Sequence, residues 1–371
     1  MKERNNKAEN KKIKTPLFHI VNRGKDGVAW YYSLLIRAAA IITALIVSGV
    51  MIMLLSGKNP IAVYASMFNG VFGTPRRIWN LLQNVAILLC ISLAVTPAFK
   101  MKFWNCGAEG QVLVGGLATV GVMMFLGDKM PLPLLIIVMI IASVVAGMIW
   151  ALIPAVFKAL FNTNETLFTL MMNYVAIQLV AYFLKVFVKD GSGVLTPMPQ
   201  YGLPVIGKYQ FLLNIIIVAL LTFVAYIYLK YSKQGYEISV VGESENTAKY
   251  IGIGVKKVII RTLMVSGAIC GIAGLLLVGG TNHTISTTTV DGRGFTAIMV
   301  SWLAKFNPFY MVLTSFLIVF LDRGASQVST DFRIPQTISD IVTGIILLFI
   351  IGCEFFLRYK IVFTKRVKEE G

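Results

Sequence analysis

Residues 31–55 read YYSLLIRAAAIITALIVSGVMIMLL, a run broken by one charge, Arg37. As a helix it would reach about 37 Å at 1.5 Å per residue, enough to cross roughly 30 Å of hydrocarbon. Runs of the same kind recur along the 371 residues, of which 57% are hydrophobic and only 14% charged. Soluble domains are nearer 45–50% apolar and about 25% charged. Too little polar surface is left to coat a water-facing globule, so soluble-enzyme, disordered and disulfide-scaffold classes are excluded. The sequence predicts an all-α polytopic membrane protein.

Ten spans fit, within a range of eight to ten. The first is 31–55, followed by a short helical stripe (Ile61, Tyr64, Phe68, Val71) too brief to cross. Further spans are predicted at 78–99, 109–126, 131–157, 166–188, 211–229, 258–278, 295–304, 309–321 and 338–357. The segments 295–304 and 309–321 are too short to cross as straight helices. A re-entrant pair, leaving eight spans, is the alternative.

The formal net charge is +17. In a soluble domain this would suggest nucleic acid; here lysine and arginine retained in cytoplasmic loops explain it better. Lys2, Arg4, Lys7, Lys11, Lys12, Lys14, Arg23 and Lys25 crowd a leader over 1–30, and Arg358 is followed by Lys360, Lys365, Arg366 and Lys368 in a tail over 359–371. Both ends are therefore expected in the cytoplasm, around a membrane domain over 31–358 with a cytoplasmic segment at 235–257. The first apolar run is too long for a signal peptide. Cys90, Cys106, Cys270 and Cys353 fall in spans or cytoplasmic turns, so no structural disulfide is expected.

Polar interruptions form a pattern. Asn105-Cys106-Gly107-Ala108-Glu109-Gly110-Gln111 lies between spans two and three on the inner side. Thr281-Asn282-His283 and Asp291-Gly292-Arg293-Gly294 lie between spans seven and eight on the outer side. The turns at 162–165 and 322–324 are likewise on opposite faces. Spans two to five thus resemble spans seven to ten inverted, and glycine-interrupted helices at matching places point to a central transport site. Simple alternation of polar turns is the alternative.

Asn105, Glu109 and Gln111 are candidates for lining the path. A carboxylate at membrane depth is costly unless it faces a polar cavity or caps exposed backbone N–H groups, and both roles are open for Glu109. Asn164 and Glu165 precede Thr166, Thr169 and Asn173, a polar stripe at helical spacing that must face protein or water. Helix–helix hydrogen bonding and substrate contact both fit it. Gly267, Gly271 and Gly274, with Ser266, allow two helix backbones to approach closely. His283 lies in an outer loop and His19 in the leader, so paired-histidine metal binding is not expected. In the cytoplasmic segment Ser244 caps a short helix that starts with Glu245-Asn246 and stops at Gly252. Ala248, Tyr250 and Ile251 make it apolar yet too short to bury itself, which predicts docking on a soluble partner.

Phe103-Trp104-Asn105-Cys106-Gly107-Ala108-Glu109-Gly110-Gln111 resembles the Phe-Asn-Ile-Gly-Ala-Glu-Gly-Gln signature of ABC-importer permeases for simple sugars and nucleosides. Asn164-Glu165 with Thr169-Leu170-Met171-Met172-Asn173-Tyr174 is similar to the nucleoside branch. The stretch from Gly242, Glu243, Ser244, Glu245, Asn246, Ala248 and Tyr250 to Gly252 looks like its ATPase-coupling helix, and Ser266–Gly274 like the span that follows. Trp104, Cys106 in place of isoleucine, and Ser301-Trp302-Leu303-Ala304-Lys305 in place of a small-residue run depart from the family pattern.

The resemblance implies a bacterial cytoplasmic-membrane permease bound by lipid. Its partners would be an ABC ATPase, a second permease (identical or related) and an extracytoplasmic solute-binding protein, with no nucleic acid. Gly57-Lys58 and Gly207-Lys208 are followed by Asn59 and Tyr209. No phosphate-cradling Gly-x-x-x-x-Gly-Lys-Ser/Thr loop is present, so no cofactor is expected in this chain and ATP would be used by the partner. An ion-coupled secondary transporter is the alternative, with Glu109 as its strongest carboxylate. A membrane enzyme lacks a His/Asp/Cys constellation.

Overall fold

The computed structural model describes residues 18–22, 30–188, 195–207 and 209–363. Most of the basic leader and tail lies outside the described residues. The chain is nearly all-helical. Helices α1 (Trp30–Ser56), α2 (Pro60–Phe72), α3 (Pro75–Lys100), α4 (Ala108–Leu126), α5 (Leu132–Phe161), α6 (Glu165–Phe187) and α7 (Leu212–Tyr231) lead to two short helices, α8 (Lys233–Glu243) and α9 (Glu245–Tyr250). Then follow α10 (Val255–Leu277), α11 (Arg293–Leu303), α12 (Pro308–Phe332) and α13 (Gln336–Arg358). One element departs from the all-α expectation: strands β1 (Phe18–Asn22) and β2 (Tyr359–Phe363) pair antiparallel, bringing the flanks of α1 and α13 together.

Nine helices among the described residues are long and apolar enough to cross a membrane, within the eight to ten expected. The eighth predicted span is α11, with only 11 residues, or about 16 Å of helix. The ninth is instead longer than expected, because α12 continues through Asp322-Arg323-Gly324 to Phe332. Those residues do not form the outer turn that the inverted-repeat correspondence required. Helix persists there because Arg323 finds a protein partner, Asn84, and the first strong breaker is Pro335.

The chain divides into two compact units, Met1–Ser66 with Ala325–Gly371, and Met67–Gly324. The first contains α1, α13 and the strand pair; Tyr64 donates to the Leu45 carbonyl at 2.6 Å and fastens the start of α2 to α1. In the second, α3 and α10 are central: 72% of their apolar windows is buried, against 22% for α5 and α7. Lipid offers no hydrophobic drive between helices, so close packing has to supply the association. The glycines of α10 permit it. A Cβ on Gly267 or Gly271 would strike the Gly147 or Ser143 carbonyl of α5, and one on Gly274 the Val112 carbonyl of α4. At the end where α3 finishes and α10 starts, Ala98, Phe103, Ile238, Val241, Ala248 and Val258 form one core that seats α8 and α9.

Candidate functional site

The site lies within the unit Met67–Gly324. Between α3 and α4 the chain turns back along α10, so that Asn105 is wholly buried and donates to Ser266 Oγ at 3.2 Å. Its Oδ1 accepts from the Gly107 N–H at 3.1 Å and from Gln111 Nε2 at 3.2 Å. Gly107 has no side chain with which to cap α4, and α6 supplies the missing partners. Thr169 Oγ1 accepts from the Cys106 N–H at 3.1 Å. Asn173 accepts from the Gly110 N–H and donates to the Cys106 carbonyl, both at 2.8 Å. Asn105, Gln111, Thr169 and Asn173 are thus gathered into one buried net that holds the start of α4. Asn164 and Glu165 stand apart from it. Asn164 caps α6 through the Leu167 N–H at 3.1 Å, and Glu165 pairs with Lys158 at 2.8 Å.

Glu109 joins the two glycine-rich breaks. Its Oε1 accepts from the Gly292 N–H and its Oε2 from the Gly294 N–H, each at 2.8 Å. Of the two roles open for it, this contact is the capping of exposed backbone N–H groups, made on α11 and not on the start of its own helix. The four N-terminal N–H groups of a helix lack intrahelical partners and carry partial positive charge, so a carboxylate is a strong cap. Gly294 has no room for a side chain, since a Cβ there would overlap the Glu109 backbone. The two breaks, placed on opposite faces from sequence, therefore meet. After α10 the chain makes one wide turn through Val278–Asn282 and reverses at His283 in the left-handed region. Residues 284–292 then lead in to α11, which runs alongside α3 until Ser301 reaches Thr96 Oγ1 at 2.9 Å.

Beside this junction lies a cavity of about 370 Å³, within the usual size range of small-molecule sites. Its wall on α3 is made of Asn80, Gln83 and Asn84, and Thr281, Ser286, Asp291, Arg293 and Arg323 line it from the other side. Asn84 Oδ1 accepts from Arg293 Nη2 at 3.0 Å and from Arg323 Nη2 at 2.7 Å, two guanidinium groups on one amide oxygen. Asn84 sits nine residues into α3, about 14 Å along it, so the amide that holds both arginines lies well inside a spanning helix. Ionisable groups at such depth are costly and mark solute pathways. Gln83 and Asn84 were not among the residues singled out from sequence, and Arg293 and Arg323 were read only as members of polar turns. The available signal was Asn80, Gln83 and Asn84 at i, i+3 and i+4, which puts three amides on one face of an apolar span.

His283 anchors the rim, its carbonyl accepting from the Met198 N–H at 2.8 Å. Burial pushes its imidazole pKa down. No cluster of three His, Cys, Asp or Glu suited to a metal occurs among the described residues.

At the opposite end, Ser232 caps α8 and Ser244 caps α9, the latter accepting from the Thr247 N–H at 3.2 Å. Gly242 lies against the Lys100 carbonyl, where a Cβ would not fit. Ala248 is wholly buried, whereas Tyr250 is 96% exposed and Ile251 55%. Glu245 and Asn246 are exposed on the same short element and Glu243 at the end of α8, and Gly252 follows α9 at φ +82°. The apolar content foreseen for docking therefore divides: Ala248 fixes the element to its own chain, and Tyr250 and Ile251 are presented outward.

Sequence comparison agrees with this architecture. The family described as branched-chain amino acid transport system / permease component matches residues 77–351. A guanosine ABC transporter permease protein of Bacillus subtilis is 31% identical over 88% of this chain and 95% of its own length. A glucose ABC transporter permease protein of Haloferax volcanii is 28% identical over 86% of this chain and 88% of its own. A nucleoside ABC transporter permease protein of Lactococcus lactis is 27% identical over 86% and 91%. The chain belongs to the branched-chain amino acid transport system / permease component family, as a multi-pass ABC transporter permease of the plasma membrane and not an enzyme.

Proposed function

We propose that this chain forms the translocation path of an ABC importer for a small, uncharged, polar solute, with nucleosides favoured over simple sugars. A separate ATPase drives it through the 242–253 element, a second permease completes the pore, and an extracytoplasmic binding protein delivers the solute. The observation that carries the motor assignment is α9: a rigidly seated element whose Tyr250 is almost wholly bare. The relatives that transport guanosine and nucleosides favour a nucleoside cargo. Glu109, the carboxylate an ion-coupled transporter would need, is already engaged by the Gly292 and Gly294 N–H groups. The β1–β2 pair supports both flanks on one face, and their basic residues favour the cytoplasm.

The test is uptake into proteoliposomes. The chain co-assembled with its ATPase, partner permease and binding protein is expected to accumulate labelled nucleoside only with ATP inside the cell-facing compartment. Uptake by the isolated chain along an ion gradient would overturn the proposal.

A further inference from the structure

The deep polar cavity of the unit Met67–Gly324 contains hydrogen-bonding capacity that the protein itself does not use. Gln83 is only 2% exposed; its Nε2 donates to Thr281 Oγ1, while its Oε1 has no hydrogen-bond partner among the described residues. Arg323 spends Nη2 on Asn84, and its Nε likewise lacks a hydrogen-bond partner there, with Asp322 no nearer than 3.9 Å. A buried amide oxygen left unmatched costs about 1–3 kcal/mol, so such a group marks a place where a ligand or ordered water completes the network.

The unmet groups specify a chemistry. Gln83 Oε1 requires a donor, and the arginine forks require acceptors. Asp291 lines the same cavity, Asp322 stands 3.9 Å from Arg323 Nε and Glu109 caps the adjoining helix, so the two arginine charges call for no anion. A pair of adjacent hydroxyls supplies donor and acceptor together and carries no charge. The geometry points to a subsite in which Gln83 and Arg323, with Arg293 oriented by Asn84, bind the vicinal diol of the transported solute, the ribose of a nucleoside or the ring of a free sugar. This rests on the importer proposal and adds to it the residues that select the solute.

The experiment is competitive uptake by the complete transporter in proteoliposomes, comparing a ribonucleoside, its 2′-deoxy and 3′-deoxy analogues, and ribose. In the wild type, each deoxy analogue is expected to show kcat/KM lower by about tenfold or more, the worth of a hydrogen bond to a charged or buried group. Gln83→Met is expected to collapse that ratio, chiefly by lowering the ribonucleoside. The same binding protein serves both complexes, so its own preference cancels between them. Should Gln83→Met fail to assemble, Arg323→Lys keeps the charge, removes the fork and reads the same ratio. Equal losses for ribo and deoxy solutes, or an unmoved ratio, would mean that water alone fills the site and would overturn the inference while leaving the importer standing. Preference for ribose over the nucleoside would assign the diol to a sugar cargo. Absence of ATP-driven uptake for every nucleoside and sugar would overturn the importer proposal and this one with it.

Discussion

Glu109 gives the sharpest test of the two-break junction. Its carboxylate accepts two backbone N–H groups at 2.8 Å from the first turn of α11. Glu109→Ala leaves both donors unmet in a partly buried setting, at about 1–3 kcal/mol each, and removes a charge–dipole contribution of up to about 2 kcal/mol. A net loss of about 3–5 kcal/mol follows, allowing for water reaching one donor. Glu109→Gln keeps a single acceptor oxygen and turns an amide NH₂ toward the second N–H, so about half of that loss is expected. The order Glu, Gln, Ala should appear in the thermal unfolding midpoint of the detergent-solubilised chain. It should also appear as rising reactivity of a cysteine placed at Thr296, one turn into α11. Identical midpoints for the three side chains, or Gln less stable than Ala, would refute the junction as described.

Four further outcomes are expected. Gly271→Leu would drive a side chain into the Ser143 carbonyl, and the expected result is loss of monodisperse protein on size exclusion, with Gly271→Ala already impaired. Tyr250→Asp should abolish ATP-driven uptake while leaving the unfolding midpoint within about 0.5 kcal/mol of wild type, since the side chain is 96% exposed; a large stability loss would contradict its outward placement. Ser244→Ala removes the α9 cap and should cost about 1 kcal/mol locally, read as faster amide exchange over 245–250. His283 titrates below its ordinary value because burial disfavours the cation, so the unfolded chain binds the extra proton first. Stability is then flat above about pH 6.5 and falls as pH drops below it, and His283→Gln should flatten that acid limb of the melting curve.

The sequence carried a great deal here. Hydrophobic run length is a local property, and it placed the long helices other than α12 to within a few residues because a backbone in lipid has to satisfy its own hydrogen bonds. The cap at Ser244, the stop at Gly252 and the small-residue row on α10 were equally legible, each depending on neighbours a turn or two away. What only the tertiary structure decided is long-range. Glu109 and Gly292 are 183 positions apart, and Arg323 and Asn84 are 239 apart. Nothing in the composition of Asp291-Gly292-Arg293-Gly294 or Asp322-Arg323-Gly324 distinguishes a solvated turn from a hydrogen-bonded junction between helices. That distinction depends on whether a distant helix offers a carboxylate or an amide at hydrogen-bond distance, and only folding brings one there.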